Sequence, residues 1–108
     1  MDKDKNVNLL RPLTRKMLHT DLKQAEELLK AGCVDQAERL VDAVLAQGAD
    51  EAHSYYLKGK ICMKRSDWSG SLENFRRSAE IEPDGPASDS CTMIEEILNF
   101  YHKDMYNP

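Results

Sequence analysis

The chain repeats its pattern of small and apolar residues after 34 positions. When residues 18–51 are placed under residues 52–85, similar residue types meet along the whole length. The matched pairs are Ala25 with Gly59, Leu28 with Cys62, Gly32 with Ser66, Ala37 with Ser71, Val41 with Phe75, and Val44 with Ser78. Self-similarity at such a period indicates supersecondary units that bury their apolar faces against one another.

Within each copy, apolar residues recur at steps of three and four, which is the spacing of one face of an α-helix. The predicted helices run from Leu13 to about Ala31, over 35–47, from Glu51 to Lys64, from Trp68 to Ile81, and over 88–102. Asp35 is expected to cap the second helix, and Gly32, Gly48 and Pro83 to end helices. No segment alternates like a strand. The sequence therefore predicts an all-α protein.

Length and connections set the domain organisation. A chain of 108 residues with 41% hydrophobic residues suits one small domain. We expect this domain over residues 13–102, with a flexible extension at 1–12 and a tail at 103–108. Because the predicted links are short, consecutive helices should be antiparallel.

The repeat resembles the tetratricopeptide repeat, a helix–turn–helix unit. Residues 52–85 place family-type residues at the family positions, with Cys62 in place of an aromatic and two serines in place of alanines. These positions are held by Tyr55, Gly59, Cys62, Ser71, Phe75, Ser78 and Pro83. Residues 18–51 fit more loosely through Ala25, Leu28, Ala37 and Val41, since Asp21 stands where an aromatic is usual and Ala49 where proline is usual.

The resemblance implies a right-handed superhelix of antiparallel helix pairs. It would contain about two repeats, 18–51 and 52–85, and a capping helix at 88–102. Gly59 and Ser71 would lie where two helices cross closely, with Phe75 and Trp68 filling the space beside them. Ile94, Ile97, Leu98 and Tyr101 would form the buried stripe of the cap. The ending KDMYNP resembles the ends of short bacterial tetratricopeptide proteins.

The family mostly binds a peptide or helix in a concave groove, so the resemblance also implies a binding site. The groove positions would be His19, Leu22, Lys23, Glu26 and Lys30 on one helix, His53, Tyr56, Leu57, Lys60 and Lys64 on the next, and Ser90, Ile94, Ile97 and Leu98 on the cap. Such a groove would be mildly basic with an apolar wall, and would suit acidic and apolar residues. The alternative is that the lysines form only a solvated face. Some family members bind a terminal carboxylate with a clamp of Lys, Asn and Arg side chains. The groove positions on the first two helices include no Asn, which argues against an adaptor for the C-terminal tail of a chaperone.

Charge and composition exclude several functions. The net charge is −4, with acidic and basic residues interleaved, so a phosphate backbone would meet no clustered basic face. No apolar run approaches a membrane span, and MDKDKNVNLL lacks the features of a signal peptide. Three cysteines without CxxC spacing indicate reduced thiols. We therefore expect a cytoplasmic protein that binds neither nucleic acid nor membrane.

Catalysis and metal binding are not expected. The sequence contains no phosphate loop, no HExxH motif and no nucleophilic triad with family context. His19 and His53 share one repeat position and could project together, with Glu26 or Tyr56 as a further ligand. Two histidines without a placed third ligand remain weak evidence for a metal site, so groove-edge histidines are preferred. No cofactor is predicted.

Two functions remain from the sequence. The first is a non-catalytic module that binds another protein or peptide in the groove. The second is a self-associating structural module, a weak homodimer, because two repeats are near the lower limit for a stable array.

Overall fold

The computed structural model describes the backbone of residues 21–106 and the side chains of residues 21–100. Within these residues the protein is all-α and contains no strand, which confirms the predicted fold class. The helices are α1 (described over 21–30), α2 (Val34–Ala46), α3 (Glu51–Lys64), α4 (Trp68–Ile81) and α5 (Ala87–Tyr106). The predicted extension at 1–12 and the predicted start of the first helix lie outside the described residues.

The chain divides into two compact units, and the first unit ends at Asp50 while the second begins at Glu51. This boundary lies one residue from the boundary predicted between the two repeats. In the first unit the buried side chains are Leu22, Ala25, Leu29, Ala37, Val41 and Val44. Their counterparts 34 positions later include Gly59, Ser71, Phe75 and Ser78, which are also buried. The assembly of both units into one superhelical domain stays a prediction.

The turn after α1 and the turn after α3 have the same hydrogen bonds. The amide of Cys33 donates to the carbonyl of Leu28 at 2.8 Å, and the amide of Gly32 donates to Leu29 at 3.1 Å. The same two hydrogen bonds recur 34 positions later. The amide of Asp67 donates to the carbonyl of Cys62 at 2.8 Å, and the amide of Ser66 donates to the carbonyl of Met63 at 3.0 Å. Gly32 and Ser66 both have a positive φ, +87° and +59°. Both turns are therefore Schellman motifs, which satisfy the last carbonyls of a helix.

Helices α3 and α4 pack antiparallel in the second unit. The Ser71 hydroxyl donates to the carbonyl of Gly59 at 2.8 Å, and the Ser78 hydroxyl donates to the carbonyl of Ala52 at 2.6 Å. From the first hydrogen bond to the second, the donor moves seven residues forward along α4 and the acceptor moves seven residues backward along α3, as antiparallel helices require. A β-carbon added to Gly59 would lie 2.5 Å from the Phe75 ring, so the close crossing predicted for Gly59 and Ser71 is confirmed.

Helix α5 covers the other side of α4. The core cluster consists of the buried residues Leu72, Phe75, Ala87, Cys91 and Ile94. Ile97 and Leu98 are partly buried and pack against this cluster, as does Trp68. The predicted packing of Ile94, Ile97 and Leu98 over Phe75 is confirmed, and the side chain of Tyr101 lies outside the described residues.

The bend between α4 and α5 follows from Pro83. Glu82, the residue before it, leaves the helical region with φ −134° and ψ 83°. Proline disfavours helical geometry in the preceding residue, so α4 ends at Ile81 as predicted. The Ser88 hydroxyl then donates to the carbonyl of Pro83 at 2.9 Å, which ties the start of α5 to the bend.

Two local predictions were wrong. Asp35 does not cap α2, because the helix already begins at Val34 and the capping position is held by Cys33, whose side chain makes no capping hydrogen bond. Asp35 lies instead in the first turn, where a carboxylate favours the helix dipole. Helix α5 also continues to Tyr106, past the predicted end at 102, so most of the predicted tail is helical. The residues after 102 include no glycine or proline before Pro108, so nothing in the sequence stops the helix earlier.

Candidate functional site

One face of α3 carries four of the predicted groove residues. His53, Tyr56, Lys60 and Lys64 are three, four and four residues apart, a spacing that places them on one side of the helix. We call these four residues the α3 stripe. The first three are half-buried and Lys64 is exposed. The stripe therefore presents an imidazole, a phenol ring and two ammonium groups along one side of α3.

The core holds the centre of this stripe in place. The ring of Tyr56 packs against the core cluster, and its centroid lies 5.6 Å from that of Phe75. The ammonium group of Lys60 lies 5.2 Å from the centroid of the Tyr56 ring. A cation over an aromatic face is attracted by the ring quadrupole and loses some of its freedom. The position of the Lys60 charge is thus set by a ring that the core already orients.

The lysines of the stripe are available to a partner. Over the described residues, neither Lys60 nor Lys64 forms an ion pair, whereas Arg76 is paired with Glu95 and Arg77 with Glu73. Arg77 also lies 5.6 Å from the ring of Tyr55, the residue predicted as a structural aromatic. Tyr55 is half-buried on α3, and its ring lies beside this arginine of α4.

The remaining predicted groove residues do not share one environment. Ser90 is half-buried, and its hydroxyl donates to the carbonyl of Pro86 at 3.2 Å. His19 lies outside the described residues. Lys23 and Lys30 are exposed and Glu26 is half-buried on α1, in the first unit. Leu22, Leu57 and Ile94 are at most 1% exposed, so these three side chains belong to packing and offer no open groove wall. The apolar wall expected from the resemblance is thus reduced to the half-buried Ile97 and Leu98.

A second surface lies between the start of α4 and the middle of α5. Trp68, Met93, Ile97 and Phe100 line a shallow cavity of about 410 Å³, and Glu96 lies at its rim. We call these five residues the tryptophan patch. The sequence predicted packing for Trp68 and both a packing and a groove position for Ile97, and it did not single out Met93 or Phe100. Both flank the buried stripe of α5, so their exposure depends on how far α5 is rotated about its axis.

Two of the three cysteines are poorly suited to nucleophilic chemistry. All three are free thiols. Burial raises the pKa of Cys62, and Asp67 adds to the effect. Burial likewise raises the pKa of Cys91, with a further contribution from Glu95. Because the thiolate is the reactive form, these two thiols are less reactive than an ordinary cysteine at neutral pH.

The described residues contain neither a metal-binding cluster nor a helix that could span a membrane. Among them, no three His, Cys, Asp or Glu side chains are grouped so that they could hold a metal ion. Over the same part of the chain, no helix combines the length and the apolar character that crossing a membrane requires.

Comparison with known proteins gives one solved relative. No protein-family model and no curated protein matches the chain. The solution NMR structure of protein BF1650 from Bacteroides fragilis is similar, with 38% sequence identity and a TM-score of 0.70. The match covers 80% of this chain and 88% of BF1650. The chain therefore belongs to the same protein family as BF1650.

Proposed function

We propose that the chain is a non-catalytic protein-interaction module of the tetratricopeptide type. The identical Schellman turns 34 residues apart support this assignment, because the same hydrogen bonds close a helix pair in each unit. The buried small residues at the α3–α4 crossing support it as well. The bacterial source of BF1650 and the ending KDMYNP support a place among short bacterial tetratricopeptide proteins.

The proposed binding site is the α3 stripe, and the proposed ligand is a peptide or helix that carries carboxylates beside apolar residues. The observation that carries this proposal is the position of the Lys60 ammonium over the Tyr56 ring. A fixed charge loses less conformational entropy on binding than a freely rotating lysine does. Lys64, one turn further, extends the positive charge along the stripe and would meet a second carboxylate.

The three free thiols suit a reducing compartment, so we propose a cytoplasmic location. A helix pair with exposed lysines needs no cofactor for this role. Self-association is the competing function. Measuring molecular mass as a function of protein concentration distinguishes self-association from binding of a different protein. A mass that stays at one chain over the whole concentration range favours a different protein as the partner.

The test is partner capture by charge reversal. A tagged chain is used to recover partners from its native cells, beside the variant Lys60→Glu/Lys64→Glu. The control Arg39→Glu/Arg76→Glu makes the same change in net charge at two exposed residues that are not part of the stripe. We expect the control to recover the same acidic partner and the stripe variant to lose it.

The recovered partner then allows affinity to be measured across salt concentrations. Reversal of both lysines should slow association and reduce its dependence on salt, because the steering charge is gone. Equal affinity of the two double variants at every salt concentration would place the binding site on another face.

A further inference from the structure

The tryptophan patch contains two of the three large hydrophobic side chains that are exposed in the described residues. Phe100 is 63% exposed and Met93 is 39% exposed, and both border the cavity that Trp68 and Ile97 line. Single exposed apolar residues are common on protein surfaces, but several around one concavity mark a binding site. Trp68 and Ile97 also pack against the core cluster, so one wall of the cavity is rigid while Met93 and Phe100 project beside it.

The charges around the patch define the chemistry of its partner. Glu96 is the charged residue of the lining, and over the described residues it forms no ion pair. Helix α5 carries four acidic residues, Asp89, Glu95, Glu96 and Asp104, against one basic residue, Lys103, and of the four Glu95 is already paired with Arg76. A complementary surface therefore combines large apolar side chains with Lys or Arg.

A second copy of this chain does not provide that surface. In a symmetric dimer the same patch meets itself, so the second copy's patch would offer Glu96 no cation. Each copy also has a net charge of −4, which adds repulsion at longer range. We infer that the tryptophan patch binds a basic amphipathic peptide segment of another protein, with apolar residues in the cavity and a cation beside Glu96. This site goes beyond the α3 stripe, which has the opposite charge and takes an acidic ligand.

The experiment uses Trp68 as its reporter, because Trp68 is the one tryptophan of the chain. The probe is a synthetic helical peptide of about 18 residues, about five turns, with leucines on one face and lysines on the other. A matched peptide carries glutamates in place of the lysines. We expect the lysine peptide to produce a saturable blue shift of Trp68 fluorescence, and the glutamate peptide to produce none.

Variants assign the binding to this patch. Phe100→Ser should weaken binding by about tenfold, since one apolar contact is lost. Glu96→Gln should weaken it by about threefold, as expected for a partly exposed ion pair. Glu80→Gln, at an exposed position outside the patch, makes the same change in charge as Glu96→Gln and should bind like the parent chain. If Phe100→Ser disturbs folding by circular dichroism, Met93→Ser replaces it.

Three results would overturn the inference. The first is the absence of a fluorescence change with the lysine peptide. The second is equal binding by the parent chain and the patch variants, since the peptide would then bind the acidic surface at large. The third is a blue shift with rising protein concentration alone, together with a rising molecular mass, which would show that a second copy occupies the patch. Because the lysine peptide has no side-chain carboxylates for the α3 stripe to bind, failure at this patch leaves the α3 stripe as a separate question.

Discussion

The hydroxyl of Ser71 donates a hydrogen bond to the carbonyl oxygen of Gly59 across the closest crossing of α3 and α4, at 2.8 Å. Both residues are buried, and Ser71 stands where the family pattern has alanine. The small side chain of Ser71 lets the two helices come close together. At this short separation its hydroxyl reaches the backbone of α3 and forms a hydrogen bond between the helices. Ser54 gives the opposite case, because its buried hydroxyl has no hydrogen-bond partner in the described structure.

Replacing each of these two serines by alanine should have opposite effects on the free energy of unfolding. Ser71→Ala should lower the free energy of unfolding by about 0.5–1.5 kcal/mol, because a buried hydrogen bond is lost. Ser54→Ala should leave it unchanged or raise it by about 1 kcal/mol, because an unpaired buried hydroxyl is removed. Urea titrations of both variants give the measurement, with Ser69→Ala on the exposed face of α4 as control. Equal losses in the two buried variants would contradict the assigned hydrogen bond.

Gly59 predicts a steric effect at the same crossing. A β-carbon would lie 2.5 Å from ring carbons of Phe75, far inside van der Waals contact. Gly59→Ala should therefore destabilise the protein by about 1–3 kcal/mol, although alanine is the better helix former. Addition of Phe75→Leu should recover part of that loss, and a double-mutant cycle measures the coupling. Additive effects of the two substitutions would show that Gly59 and Phe75 do not compete for space.

Much of the fold follows from periodicity, whereas the site depends on packing. The bounds of α3 and α4 were predicted because apolar spacing and Pro83 mark them in the sequence. The hydrogen bond of Ser71 was not predicted, because its acceptor lies on another helix. In the α3 stripe, the four-residue spacing predicts that Tyr56 and Lys60 are neighbours. The half-burial of Tyr56 could not be predicted, because it depends on its contact with Phe75.

Exchanging serine and glycine at the matching positions of the two Schellman turns should change stability in opposite directions. Ser66 has φ +59°, a conformation that costs an L-residue free energy and that glycine adopts freely. Ser66→Gly should therefore stabilise the protein by about 0.5–1 kcal/mol. Gly32→Ser, at the matching position with φ +87°, should destabilise it by a similar amount. Thermal unfolding of both variants checks the signs, and a loss of stability in both would mean that the Ser66 side chain contributes a contact of its own.

The last prediction concerns α5, whose residues Cys91 and Ile94 complete the core cluster around Phe75. A chain that ends at Asp89 lacks both of these residues, together with Ile97 and Leu98, so Phe75 and Leu72 would face water. Each buried apolar side chain contributes about 1.5–3 kcal/mol before entropy is subtracted, and a domain of this size has about 5–10 kcal/mol in total. We therefore expect this truncated chain to be unfolded or aggregated. A chain that ends at Lys103 keeps the cluster and should fold. Far-UV circular dichroism with urea titration compares the two. A cooperative transition at the parent midpoint in the Asp89 truncation would show that α5 is dispensable to the core, and its apolar stripe would then become a further surface for a partner.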